Sequence, residues 1–254
     1  MSLLLLAAPR RPVFPRPDAL AVRLEARADR LWTDGTLATP VAADGDAVGA
    51  WRDTAGATQL WSQNGTRRPV WRPAGMGGRA CVEFVQGDAD RLAPLSTVPT
   101  TSGARSLLLE FELTTALGSE QYAYVFGAGD GGLLWLYNGA GGQSFSYRST
   151  GTGTTVGCGG AGGAGLPATG ARCLFGATFD GVAAGAASSY AMRLNGVPQS
   201  LTTSFASSLT TWGIGSDPSL GFPYASPVKV RRLLIWNALL SAGEMAAAEA
   251  YCST

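Results

Sequence analysis

Val228-Lys229-Val230-Arg231-Arg232-Leu233-Leu234-Ile235-Trp236-Asn237-Ala238-Leu239-Leu240-Ser241-Ala242-Gly243-Glu244 is the stretch that decides the fold. Its first nine residues hold β-branched and aromatic groups with no Gly or Pro, the composition of a strand. Asn237 then marks a turn. Ser241 stands three residues before Glu244, a capping box that opens a short helix through Met245-Ala246-Ala247-Ala248-Glu249. A strand therefore feeds a short closing helix.

Working outward, the same kind of short apolar run recurs between turn residues. Residues 22–28, 79–84, 105–113, 121–126, 133–137, 143–148, 173–179 and 190–194 all read as strands. In 173–179, Cys173, Phe175 and Phe179 share one face, so that face is core. Asp130-Gly131-Gly132, Asn138-Gly139, Asp180-Gly181 and Asn195-Gly196 place residues that tolerate positive φ between the runs, which is hairpin chemistry. Gly151 to Gly165 reads as a long hairpin loop; it has no Gly-Lys-Ser/Thr ending, so phosphate cradling is not expected. The fold class is all-β, an antiparallel β-sandwich with one short C-terminal helix.

With 254 residues, 46% of them hydrophobic and 15% charged, the chain can bury a sizeable core. Nineteen basic and eighteen acidic residues leave a net charge of +1, so neither nucleic acid nor a membrane surface is an expected partner. There is no histidine, which removes Ser-His and Cys-His nucleophile pairs, histidine-ligated zinc and imidazole acid–base chemistry. Lys229 is the only lysine, which reads first as arginine-biased codon usage. Cys81, Cys158, Cys173 and Cys252 have no CxxC spacing and read as buried thiols, with a Cys158–Cys173 bridge left open.

The N-terminal stretch has its own character. Leu3 to Ala8 is too short for a secretory core or for the roughly 20 residues that span a bilayer. Pro9, Arg10, Arg11, Pro12, Pro15 and Pro17 follow and read as an extended, non-helical segment. Residues 1–17 are expected to form a docking arm that engages a partner subunit through Leu3, Leu4, Leu5, Leu6, Arg10 and Arg11, and residues 18–254 the sandwich. An arm folded back on its own domain is the alternative.

Several spaced motifs resemble the laminin-G-like branch of the concanavalin A-like lectin/glucanase superfamily, in the form found in bacterial and bacteriophage proteins. Trp51-Arg52-Asp53-Thr54-Ala55-Gly56 is similar to the family's W-x-D-x-S-G, with Ala55 departing. Arg68-Pro69-Val70-Trp71 is similar to its R-P-x-aromatic. Gly78 to Phe84 with Gly87, Asp90 and Leu92 is similar to G-x-P-A-V-x-F-x-G-x-x-D-x-L, with Ala80 in place of proline and one residue inserted. Leu194-Asn195-Gly196-Val197 and Gly213-Ile214-Gly215 resemble later anchors, and Leu234 to Glu244 resembles the closing strand and helix. The resemblance implies a jelly-roll sandwich. Trp51, Phe84, Trp236 and Leu240 are expected in its core, with Asn237 and Ser241 satisfying turn and cap hydrogen bonds.

Three sites are candidates for chemistry. The superfamily's glycoside hydrolases alternate carboxylates on one strand, as Glu110-Phe111-Glu112 does, but the family's third acidic residue is missing. A solvated outer face is the reading for this pair. Asp44, Asp46, Asp88 and Asp90 offer loop oxygens of the kind that bind calcium, without a calcium-loop spacing; turn hydrogen bonding is the reading, with no metal and no cofactor expected. Sugar recognition needs aromatic platforms beside amide and guanidinium donors, and Trp135, Tyr137, Asn138, Tyr147 and Arg148 supply that mixture. The same face could instead pack on a neighbouring subunit.

The resemblance and the arm together imply a non-enzymatic virion component: a head spike, decoration protein or tail-fibre module of a bacteriophage or phage-like particle. It would be oligomeric or joined to other virion subunits by its arm, with host surface polysaccharide as the ligand of its outer domain. An exported bacterial lectin-like domain is the alternative.

Overall fold

The computed structural model describes residues 14–55, 60–62, 65–85, 90–94, 103–117, 121–128, 133–139, 142–148, 152–159, 165–182, 186–208, 212–214 and 227–253. The arm residues Leu3, Leu4, Leu5, Leu6, Arg10 and Arg11 lie outside this set, as do Asp88 and Asp130-Gly131-Gly132. In chain order the early strands are β1 (Leu20–Glu25), β2 (Leu31–Trp32), β3 (Ala50–Arg52), β4 (Leu60–Ser62), β5 (Val70–Met76), β6 (Arg79–Phe84) and β7 (Ala93–Pro94). The middle of the chain gives β8 (Arg105–Leu113), β9 (Gln121–Ala128), β10 (Leu133–Gly139), β11 (Gly142–Arg148) and β12 (Thr152–Gly159). The last are β13 (Arg172–Phe179), β14 (Tyr190–Leu194), β15 (Val197–Pro198), β16 (Thr202–Ser208), β17 (Trp212–Ile214) and β18 (Val228–Trp236), followed by helix α1 (Ala242–Ser253).

These strands form an antiparallel, all-β sandwich. Its larger sheet runs β15-β14-β13-β8-β18-β6-β5, with β1 paired along the far half of β18. A six-stranded sheet runs β16-β12-β11-β10-β9-β17, and a small one runs β2-β3-β4-β7. The main core lies between the sheets: Leu107, Leu109, Phe111, Phe175, Leu233 and Ile235 of the large sheet share one cluster with Leu136, Cys158, Trp51 and Trp61. Cys173, Phe175 and Phe179 all belong to it, as alternation requires.

The other face of the large sheet is also covered. Leu108, Leu174, Leu234 and Trp236 meet Leu240, Met245, Ala248 and Cys252 of the closing segment and helix. Every residue of β8 is therefore buried, where a half-solvated strand was expected. The helix starts at the expected box: Ser241 N donates to Glu244 Oε2 (2.8 Å) and Glu244 N to Ser241 Oγ (3.3 Å). Phe14 stacks on Trp236 (5.8 Å between centroids) and meets Tyr251 edge-on (5.0 Å), while Trp236 Nε1 donates to Pro15 O at 2.9 Å. Phe14 and Pro15 are thus seated on the sandwich itself.

Three local expectations need correction. Pro17 opens a 3-10 turn over Pro17–Ala19; its fixed φ suits a first helical position, so it does not hold the chain extended there. Gly153 to Gly159 lies inside β12, because pairing with β11 and β16 on both sides outweighs glycine's low strand propensity. Asn138-Gly139 is not the turn: Asn138 pairs with Gln143 and Gly139 with Gly142, so both residues still belong to the ladder. Asn195-Gly196 is a turn, with φ of 49° and 83° at the two positions, the pair that a two-residue hairpin requires.

Candidate functional site

The six-stranded sheet presents an aromatic set that register alone defines. Leu136 pairs with Phe145, and Phe145 with Cys158; Leu136 and Cys158 are at most 1% exposed in the inter-sheet core, so this row belongs to the inner face. Positions 135 and 137, alternating with 136, belong to the outer face. Across the sheet, Trp135 pairs with Tyr124 and Ser146, and Tyr137 with Tyr122 and Ser144. A one-residue shift in β9 keeps this register while Leu134 pairs with Phe126.

One tryptophan and three tyrosines thus occupy neighbouring positions on the outer face, at cross-strand spacings of about 5 Å. Serines 144 and 146 and glycines 157 and 159 extend the rows. The expected sugar-binding set is divided by this register. Positions 135, 137 and 148 fall on the outer face, whereas Asn138 pairs with Gln143, and Tyr147 with Leu134, in the rows of the inner face. The side chains of Trp135, Tyr137, Asn138, Tyr147 and Arg148 lie outside those described. Tyr122 and Tyr124 were missed as site residues, although their alternation in Gln121-Tyr122-Ala123-Tyr124 carried the signal.

The Glu110–Glu112 pair is not a solvated face. Glu110 is fully buried and Glu112 is 5% exposed. Arg172 Nε donates to Glu110 Oε1 at 2.7 Å, Arg231 Nη1 reaches both oxygens at 3.1 and 3.0 Å, and Arg79 and Arg232 stand at 3.8 and 3.9 Å. A register shift between Val230 and Arg232 inserts Arg231, which brings two consecutive arginines to one carboxylate. The same arginines cap the helix. Cys252 O accepts from Arg172 and Arg231, Ser253 O from Arg79, and Tyr251 O from Arg232.

Cations at the negative end of α1 and around Glu110 make this a structural lock. Glu112 in turn accepts from Lys229 Nζ at 3.0 Å. Two buried carboxylates so engaged by cations do not present a glycosidase pair to a sugar ring.

The loop aspartates serve the backbone. Asp46 Oδ2 accepts from Ala42 N and Ala43 N, and the Ala43 and Ala42 amides hold its carboxyl below the usual range. Asp90 Oδ2 accepts from Val85 N, and Asp44 Oδ1 meets Arg72 Nη1 at 3.5 Å. No group of three or more His, Cys, Asp or Glu among the described residues is arranged to hold a metal. All four cysteines are free and buried. Burial pushes the Cys81 and Cys173 thiols up to about 12 and those of Cys158 and Cys252 up to about 11.

No protein-family model and no curated protein sequence matches the chain. Among solved structures, the receptor binding domain of botulinum neurotoxin mosaic serotype C/D aligns with a TM-score of 0.55 at 10% identity, over 94% of this chain and 51% of that one. The botulinum neurotoxin serotype C1 binding domain aligns with a TM-score of 0.50 at 9% identity, over 93% and 52%. Trypanosoma rangeli sialidase in complex with sialic acid aligns with a TM-score of 0.50 at 13% identity, over 93% and 33%. The chain spans about half the length of the toxin domains and about a third of the sialidase. At these identities the likeness is one of fold, a β-sandwich.

Proposed function

We propose that this chain is a non-enzymatic carbohydrate-binding sandwich that takes host surface polysaccharide on the outer face of its six-stranded sheet. The observation that carries this reading is the register that sets Trp135 beside Tyr124 and Tyr137 beside Tyr122 on one face. Pyranose rings stack their C–H faces on such platforms, and Arg148 occupies a register position of the same face, opposite position 133. The fold is compatible with a glycan ligand, since similar sandwiches occur in a toxin receptor binding domain and in a sialidase bound to sialic acid. The engagement of Glu110 and Glu112 by arginine and lysine supports binding over hydrolysis.

In this reading the protein works as a virion component of a bacteriophage or phage-like particle. Residues 1–13 dock on another virion subunit, and the sandwich is displayed outward. The test is binding of the labelled, purified protein to bacterial cells with intact or enzymatically stripped surface polysaccharide. Binding that disappears on stripping supports the reading, and equal binding to both contradicts it. For the particle role, deleting residues 2–13 is expected to leave a folded sandwich that no longer incorporates into particles.

A further inference from the structure

A polar cavity lies on the large sheet, and nothing in the aromatic face accounts for it. Positions across the outer side of the large sheet alternate in charge: Arg172 pairs with Glu112, Glu112 with Lys229, and Lys229 with Glu83. Arg72 Nε continues the row by donating to Glu83 Oε2 at 2.6 Å, and Arg72 Nη1 stands 3.5 Å from Asp44. The row ends in a cavity of about 470 Å³ lined by Asp44, Arg72, Glu83 and Lys229, with Pro73, Ala74 and Gly75 as an apolar wall. That volume falls in the range of small-molecule sites.

The wall is a designed irregularity of the strand. Pairing of β5 with β6 jumps from Arg72↔Cys81 to Met76↔Arg79, which leaves two extra residues on β5. At Gly75 an added Cβ would lie 2.4 Å from Arg72 Cβ and 2.7 Å from Cys81 Sγ, so only glycine fits. Lys229 Nζ donates to Gly75 O at 2.9 Å and to Glu112 Oε1 at 3.0 Å, which fixes both the bulge and the ammonium. A guanidinium in this place would present a wider planar fork, so an ammonium here gives the sole lysine of the chain a geometric reason.

The groups keep capacity for a ligand. The ammonium has three donors and uses two; Glu83 Oε1 and Asp44 Oδ2 accept no hydrogen bond among the described residues. Two carboxylates and two cations line the cavity, so no net positive charge favours an anionic ligand, and the cations standing beside the carboxylates do not suit a metal ion. Interleaved donors and acceptors beside the Pro73–Ala74 wall suit vicinal hydroxyls on a ring with an apolar face. We infer that the cavity formed by Asp44, Arg72, Glu83, Lys229 and the β5 bulge is a second binding site for a neutral polyhydroxylated ligand of monosaccharide size.

A chain with one lysine offers a selective probe. Protein grown with isotope-labelled lysine gives NMR side-chain signals from Lys229 alone, and these are followed while glucose, galactose, mannose or glucuronate is added. Saturable shifts with at least one neutral hexose, weaker with glucuronate, are expected. They should be absent in Ala74→Trp, an exposed position on the cavity wall where an indole takes the space a ligand needs and leaves every charged residue of the row in the sequence. Trp135→Ala with Tyr137→Ala should keep them, which separates this site from the aromatic face. Unmoved Lys229 signals with every sugar, equal shifts in Ala74→Trp, or a preference for glucuronate would each overturn the inference.

Discussion

Glu110 is the residue on which the closing helix depends. It is fully buried, and four guanidinium groups lie within 4 Å of it, the farthest at 3.9 Å. Glu110→Gln removes the one carboxylate these arginines share and leaves their charges uncompensated, a loss of about 3 kcal/mol in chemical denaturation. A loss under about 0.5 kcal/mol, the size of an ordinary surface change, would contradict the lock. Glu244 acts locally: hydrogen bonds from Ser241 N and Oγ hold its carboxyl below its ordinary value of 4.5. A depressed folded value means its contribution is complete above about 4.5 and is lost as pH falls through the lower value. The stability gap between the wild type and Glu244→Gln should therefore be constant from pH 7 to 5 and close below that window. The capping box was legible in the sequence because all its partners lie within one turn. Glu110 was not, because its burial depends on a strand irregularity at Arg231 and on a helix more than a hundred residues away.

At the scale of elements, periodicity and turn residues located half of the eighteen described strands. Arg79–Phe84, Arg105–Leu113, Tyr190–Leu194 and Val228–Trp236 have the bounds that their apolar runs suggest. Thr152–Gly159 and Thr202–Ser208 escaped, since small and polar residues are held there by pairing partners distant in sequence. The entry segment also belongs to an element. Phe14 and Pro15 engage Trp236 and Tyr251, which sit at the end of β18 and in the last turn of α1. Deleting residues 2–17 should lower Tm by several degrees relative to deleting 2–13, because an aromatic contact and the Trp236 hydrogen bond go with the extra residues. Equal Tm values for the two deletions would show that Phe14 adds nothing to the sandwich.

For the whole molecule, the sequence indicated a sandwich with one closing helix, and the structure has that architecture. The candidate site was only half legible: alternation named Trp135 and Tyr137, but which strands lie beside them is a property of the assembled sheet, and it adds Tyr122 and Tyr124. The buried thiols give a global probe. All four should be inert to a disulfide reagent at pH 8 in the native protein and react together on unfolding, since their values near 11 and 12 leave little thiolate. Rapid native reaction of any one would contradict its placement in the core. The most direct test of the carbohydrate-binding role compares the wild type with Trp135→Ala/Tyr137→Ala on purified, immobilised surface polysaccharide. Saturable wild-type binding that falls at least tenfold in the double variant, with an unchanged far-UV spectrum, is the expected result. Equal binding by the two proteins, or none by either at multivalent display, would contradict the assignment of the aromatic face.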